Sequence, residues 1–186
     1  MIHLITARKA RPSPGAVFLA GSVAPDAVGG TWKNKDFYHF RDLDRAAREE
    51  ALRSLAAATD PRDCFAEGSL LHLYVDYKWD TAMRDPFIAK HGENWYPPYK
   101  TEIVNSSCYA RHNTPDGARL WEKLLSCKPE DYGNIPGATG EELRAFIERN
   151  KRWYDENKTP PSAVFTPEIV ECFTDEAARE YLKIRN

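Results

Sequence analysis

The stretch Gly68-Ser69-Leu70-Leu71-His72-Leu73-Tyr74-Val75-Asp76-Tyr77-Lys78-Trp79-Asp80 sets a histidine and two aspartates at four-residue steps among apolar residues. It reads as one helix. At 3.6 residues per turn, positions 72, 76 and 80 advance along one side, drifting by roughly 40° per step. Leu71 and Val75 fall on the neighbouring stripe and carry its apolar contacts. A buried charge costs on the order of several kcal/mol unless it is paired or bound to metal. A His and an Asp one turn apart that point towards a core therefore need a reason to be there.

Outward from this helix, the composition sets limits. The chain has 186 residues, enough for one domain with a real core, and is expected to form a single helical domain over 1–186. Its 42% hydrophobic and 29% charged content is ordinary for a globular protein. A net charge of −2 offers no basic footprint for nucleic acid and no polybasic membrane arm. No apolar run approaches the roughly 20 residues that span a bilayer. The start, Met1 to Arg11, lacks the basic-apolar-small order of a signal peptide, so a cytoplasmic location is expected. Four cysteines (Cys64, Cys108, Cys127, Cys172) are scattered without a Cys-x-x-Cys pair, which argues against zinc-ribbon and thioredoxin-type sites. They read as reduced, buried, small apolar residues.

A capping residue followed by proline recurs at Ser13-Pro14, Asp60-Pro61, Thr114-Pro115 and Thr166-Pro167, a signature of helix starts. Thr139-Gly-Glu-Glu142 adds a capping box. Period-2 alternation is almost absent, so the expected fold class is all-α, a helical bundle. Helices are expected over 3–9, 14–23, 42–58, 61–84, 100–111, 115–127, 141–157, 167–172 and 175–184. The helix over 61–84 stops at Asp85-Pro86. That over 42–58 is amphipathic, with a solvated outer face around Leu43, Ala47, Ala51 and Leu55. Residues 27–40 form a loop with Gly29-Gly30 and the aromatics Trp32, Phe37, Tyr38 and Phe40; residues 91–99 form an aromatic loop.

Asp26, His39, His72 and Asp76 stand out as a set, the mixed nitrogen and oxygen donors that a catalytic divalent metal uses, zinc being favoured by imidazole. Each has a duller reading. Asp26 after Pro25 can cap a turn, His39 among aromatics can be a packing residue, and His72 with Asp76 can be a hydrogen-bonded pair. Asp80 is either an outer partner of a ligand histidine or, by preference, a solvated charge paired with Arg84 at i+4. Lys35 and Arg111 are surface cations by default. His91 and His112 read as surface or loop residues, and Trp95-Tyr96-Pro-Pro-Tyr99 either lines a cleft or locks a loop.

Three blocks, Phe18-Leu-Ala-Gly21-Ser-Val-Ala-Pro25-Asp26, Lys35-x-x-x-His39-Phe40 and Gly68-x-x-x-His72-x-x-x-Asp76-x-x-Trp79, together resemble the zinc-dependent phospholipase C family. That family is all-α and related to P1-type nucleases. The resemblance covers roughly residues 1 to 80. It implies that Asp26, His39, His72 and Asp76 ligate one zinc and that Asp76 bridges to a second metal with His3. In secreted members the N-terminal amine joins that second metal; here Met1 and Ile2 precede His3. The further histidines and the His-x-x-x-Glu pair of the bacterial phospholipases are missing, so a reduced site of one or two metals is implied, zinc first, with manganese or iron as the other candidates.

The chemistry so implied is phosphoester hydrolysis, a metal-bound hydroxide attacking a phosphodiester or phosphomonoester, with Asp26 orienting or deprotonating the water. The expected ligand is a small phosphoester or a phospholipid head group. The alternative is a non-catalytic helical domain with a structural metal site or a buried His/Asp network. A phosphohydrolase of the HD type is opposed by the absence of any His-Asp dipeptide.

Overall fold

The computed structural model describes residues 1–29 and 32–185, the side chains of Trp32 and Lys33 excepted. Gly30 and the Trp32 side chain, both part of the expected 27–40 loop, lie outside the described residues. Among the described residues ten α-helices follow one another: α1 (Ile2–Ala10), α2 (Ala16–Gly21), α3 (Trp32–Tyr38), α4 (Arg45–Ala58), α5 (Cys64–Trp79), α6 (Asp85–His91), α7 (Tyr96–Asn113), α8 (Pro115–Leu125), α9 (Gly140–Glu156) and α10 (Pro167–Arg185). No strand occurs among the described residues, so the all-α expectation holds. No helix among the described residues is long and apolar enough to cross a membrane.

Helix α5 is the axis of the core. Asp63 caps it, accepting from the amides of Phe65 and Ala66. It is covered on nearly every side; Leu71 and Val75 are fully buried, each stabilising by about 1.5–3 kcal/mol relative to exposure. The short α2 lies across it, and α1, α4 and α10 complete its surround. An apolar cluster runs from Leu4 through Phe18, Leu71, Leu124 and Ile147 to Tyr181.

Two glycines set how closely α2 and α5 approach. A Cβ on Gly68 would stand 2.2 Å from the Phe18 carbonyl oxygen, and one on Gly21 would stand 2.1 Å from that of Phe65. Neither position has room for a side chain. The backbone-to-backbone contact places the carboxyl end of α2 beside His72.

Several local expectations are corrected. Pro115 and Pro167 open α8 and α10 as expected, but the Thr114 hydroxyl donates back to Ala110 O instead of capping α8; the Thr139–Glu142 capping box forms. At Ser13-Pro14 and Asp60-Pro61 the helices start two and three residues later, the second because Asp63 takes the cap. Helix does not stop at Asp85-Pro86. The chain widens into a π-turn over Asp80–Arg84, where the Asp85 amide donates to Asp80 O, and continues into α6. The expected loop over 27–40 contains α3, and α7 starts at Tyr96 inside the expected aromatic loop. The buried stripe of α4 is Arg48, Leu52 and Ala56, whereas Leu43 is exposed. The two closing helices are one, because the Thr174 hydroxyl donates back to Val170 O instead of capping a new start. Cys108 and Cys127 are buried, but Cys64 and Cys172 are exposed; all four are free thiols.

Gly21→Ala and Gly68→Ala are each expected to cost about 3 kcal/mol or more, since backbone cannot yield as a side-chain tip can. Urea unfolding measures this, and a loss under 1 kcal/mol at both positions would refute the close crossing.

Candidate metal centre

Four elements deliver the histidines and aspartates to one place. His72 and Asp76 project from α5, where His72 is fully buried. The His72 ring donates from Nδ1 to the carbonyl of Ser22, 2.8 Å away, a carbonyl left without a helical partner at the end of α2. Asp26 sits on the 3₁₀ turn Ala24–Ala27 that follows. His3 lies on α1, with its ring stacked on that of His72 (centroids 3.8 Å apart, 14° between planes).

His39 follows the last residue of α3, whose end is a Schellman turn. The Arg41 amide donates to Asp36 O (2.8 Å) and the Phe40 amide to Phe37 O (3.0 Å). That turn puts Phe40 at φ 56°, a position glycine usually takes. The His39 ring folds back so that Nδ1 donates to Lys35 O at 2.7 Å. Both neighbours of the strained residue, His39 and Arg41, then face the site.

A carbonyl oxygen only accepts, so Nδ1 carries the proton on both His39 and His72. Their Nε2 atoms face each other at 3.3 Å. That contact is a hydrogen bond only if one ring is a cation. Burial opposes this: it pushes His72 down to about 3, assisted by His3, and lowers His39 as well. Two neutral imidazoles therefore aim lone pairs at one point.

Carboxylate oxygens complete the surround. Asp76 Oδ2 lies 3.6 Å from His39 Nε2 and 3.8 Å from His72 Nε2. Asp26 offers Oδ1 at 3.8 Å and Oδ2 at 4.0 Å to the same two nitrogens. In a tetrahedral zinc site with bonds of 2.0–2.1 Å the donor atoms stand about 3.3 Å apart. The nitrogen pair already has this spacing, and the carboxylates need to close by only a few tenths of an ångström. Two triads meet the spacing of a metal cradle, Asp26/His39/His72 and His3/His72/Asp76, and they share His72. In the second, His3 Nε2 donates to Asp76 Oδ1 at 3.0 Å.

Protein cations already balance these acids. Burial works against ionised Asp26, but Lys35 at 2.5 Å, with His72 and His3, outweighs it and holds the carboxyl well below its ordinary range. Burial likewise disfavours the Asp76 anion, and Arg41, 2.9 Å from Oδ2, and the His3 hydrogen bond overcome it. Lys35 is thus no ordinary surface cation. Asp80 is not a solvated charge either: it is 3% exposed. It accepts from Arg41 Nε and Arg48 Nη1, each at 2.8 Å, while the expected partner Arg84 stands at 3.5 Å.

The remaining histidines lie elsewhere. His112 donates from Nε2 to the carbonyls of Tyr154 and Asn157, and His91 stacks on Phe87. Arg111 pairs with Asp155. A cleft of about 680 Å³ opens over His3, Asp26 and Asp76, with Trp95, Tyr96 and Tyr99 on its wall. The aromatic segment both lines this cleft and locks it, since buried Tyr99 accepts from Trp79 Nε1 at 2.8 Å.

No family of known proteins, no curated protein and no solved structure matches this chain. The site stands on its own geometry.

In metal-free protein His72 binds a proton more weakly when folded than when unfolded, so its contribution to stability is complete above about pH 6.5 and drains as pH falls towards about 3. His39 acts in the same direction. The urea midpoint is expected to fall steadily from pH 6.5 to 4, a loss on the order of a few kcal/mol. A flat midpoint over that range would show that the rings are not buried and neutral.

Proposed function

We propose that the chain is a metal-dependent phosphoester hydrolase, of the kind its resemblance to zinc-dependent phospholipases C implies. The observation that carries this reading is the pair of buried Nε2 atoms, 3.3 Å apart and with no proton to share, flanked by two carboxylates. A polar core network explains the Lys35–Asp26 and Arg41–Asp76 pairs but leaves two facing lone pairs unsatisfied. A cation removes that conflict.

The residues in hand suit zinc, with two imidazoles and up to two carboxylates as ligands and His3 as the partner for a second ion on Asp76. A divalent ion held by these residues would supply Lewis-acid chemistry, polarising a phosphoryl oxygen and lowering the pKa of a bound water from about 15.7 towards about 7. The chain's own residues do the rest. Lys35 keeps Asp26 ionised and a weak base, so Asp26 is better suited to orient a water molecule than to deprotonate it. The Nδ1 bonds to Ser22 O and Lys35 O hold both rings in the tautomer that presents Nε2. Lys35 and Arg41 meet the charge of a phosphate, and Trp95 and Tyr96 cover what the phosphate is attached to.

Protein purified without chelator, or loaded with zinc, is expected to hold one to two ions per chain by mass spectrometry. His72→Ala and His39→Ala should each weaken zinc binding by more than about tenfold while retaining helical circular dichroism. Turnover of p-nitrophenyl phosphoesters should vanish with chelator and return with added zinc. If the chain stays metal-free and both variants bind as the parent does, the polar-network reading takes its place.

A further inference from the structure

The charges around the cleft narrow the substrate, an inference that rests on the metal-dependent hydrolase reading. Among the described residues four cations line it, Lys35, Arg41, Arg84 and Lys100, against the carboxylates of Asp26, Asp36, Asp76 and Asp80. The described side chains of the lining therefore balance before any metal binds, and Arg48 adds a further positive charge behind Asp80. One divalent ion leaves a surplus of at least two positive charges in a partly enclosed space. A phosphomonoester carries about −1.5 to −2 at neutral pH. A phosphodiester carries only one negative charge, and a phosphocholine group brings a cation of its own. Field focused by low-dielectric walls makes that difference count.

Arg41 is the group built to meet the second charge. Asp80 holds its Nε at 2.8 Å and Nη2 at 3.4 Å, and Asp76 Oδ2 takes Nη2 at 2.9 Å. The third nitrogen, Nη1, makes no hydrogen bond among the described residues, and the side chain lines the cleft. Asp80 is itself buried and tied to Arg48, so the guanidinium plane is set in advance. A planar fork with one free arm beside a metal carboxylate suits a phosphate oxygen that the metal does not take. We propose that the substrate is a phosphomonoester dianion and that Arg41, oriented by Asp80, grips its phosphate. Water adds its oxygen to phosphorus, the ester P–O bond breaks, and a proton ends on the departing alcohol, giving ROH and hydrogen phosphate.

The test uses zinc-loaded protein and three esters with one leaving group: p-nitrophenyl phosphate, bis-p-nitrophenyl phosphate and p-nitrophenyl phosphorylcholine. Expected is a kcat/KM for the monoester at least tenfold above both others. Inorganic phosphate should compete, and Arg41→Gln, with zinc content unchanged, should raise its inhibition constant at least tenfold and cut monoester kcat/KM more than diester kcat/KM. A diester or choline ester turned over as well as the monoester overturns the substrate class while leaving the hydrolase reading intact. An unchanged phosphate constant in Arg41→Gln overturns the grip. If none of the three esters reacts, the hydrolase reading falls. Calorimetric titration of phosphate into zinc-loaded parent and Arg41→Gln then decides the grip alone, a tenfold loss supporting it and equal affinity refuting it. Should Arg41→Gln lose zinc or unfold, Arg41→Lys, which keeps charge but not the fork, takes its place with the same readouts.

Discussion

Two imidazole nitrogens, each with its proton committed to a backbone carbonyl on the far side of the ring, face each other across 3.3 Å in the middle of this protein. Most of the architecture around them serves that confrontation. The His72 tautomer depends on the Ser22 carbonyl, and that carbonyl is in place only because Gly21 and Gly68 let two backbones nearly touch. The His39 tautomer depends on the carbonyl of Lys35 one turn back, and on a chain reversal that forces Phe40 to a positive φ. Left-handed backbone at a bulky residue costs on the order of 1–2 kcal/mol. Here the surroundings hold it: Phe40 packs against Leu52, Leu73 and Tyr77. Strain accepted at one residue aims the two beside it.

Charge balance makes this arrangement compatible with folding in the absence of an ion. Asp26, Asp76 and Asp80 lie within one small region, and three ionised carboxylates there would repel strongly. Lys35, Arg41 and Arg48 neutralise them one for one. On the proposed reading a divalent ion would not meet a bare acidic pocket, because it would compete with Lys35 for Asp26 and with Arg41 for Asp76. Arg41 would keep its bonds to Asp80, which are independent of the ion, and both cations would become available to an anion. On the proposed reading, the internal counter-ions of the metal-free protein are the same groups that an anionic ligand would meet once an ion is bound.

The cluster of histidines and aspartates was legible because its spacing is partly local. His72 and Asp76 are one helical turn apart, and Asp26 and His39 announce themselves by residue type in blocks with their own glycine and proline punctuation. The all-α class followed from capping signals and from the lack of alternation. What stayed hidden depends on long-range pairing. Asp80 looks from the sequence like half of an i,i+4 pair with Arg84, yet its close partners are 39 and 32 residues away. Arg41 has no motif at all, and its place depends on a left-handed phenylalanine that no propensity favours. Helix ends were missed for a similar reason. The π-turn carries the chain past Pro86, and the buried Thr174 bonds back within α10, which runs on through the break expected between 172 and 175.

Asp80 is the step that links the metal cradle to the cleft. It sits at the end of the Gly68–His72–Asp76 stripe, where α5 gives way to the wider π-turn. A π-turn adds a residue to the ring and shifts the phase of everything after it by about 100°. The polar stripe therefore ends at Asp80 instead of running on into α6. Phe87 then turns inward to pack edge-on against Tyr99. Tyr99 in turn holds the Trp79 indole, and with it the wall that carries Trp95 and Tyr96. One buried carboxylate fixes the arginine on the cradle side, and the same local widening sets the aromatic wall on the other. A substitution at Asp80 reaches both without altering any of the candidate metal ligands, and this makes it a positioning residue for the whole cleft.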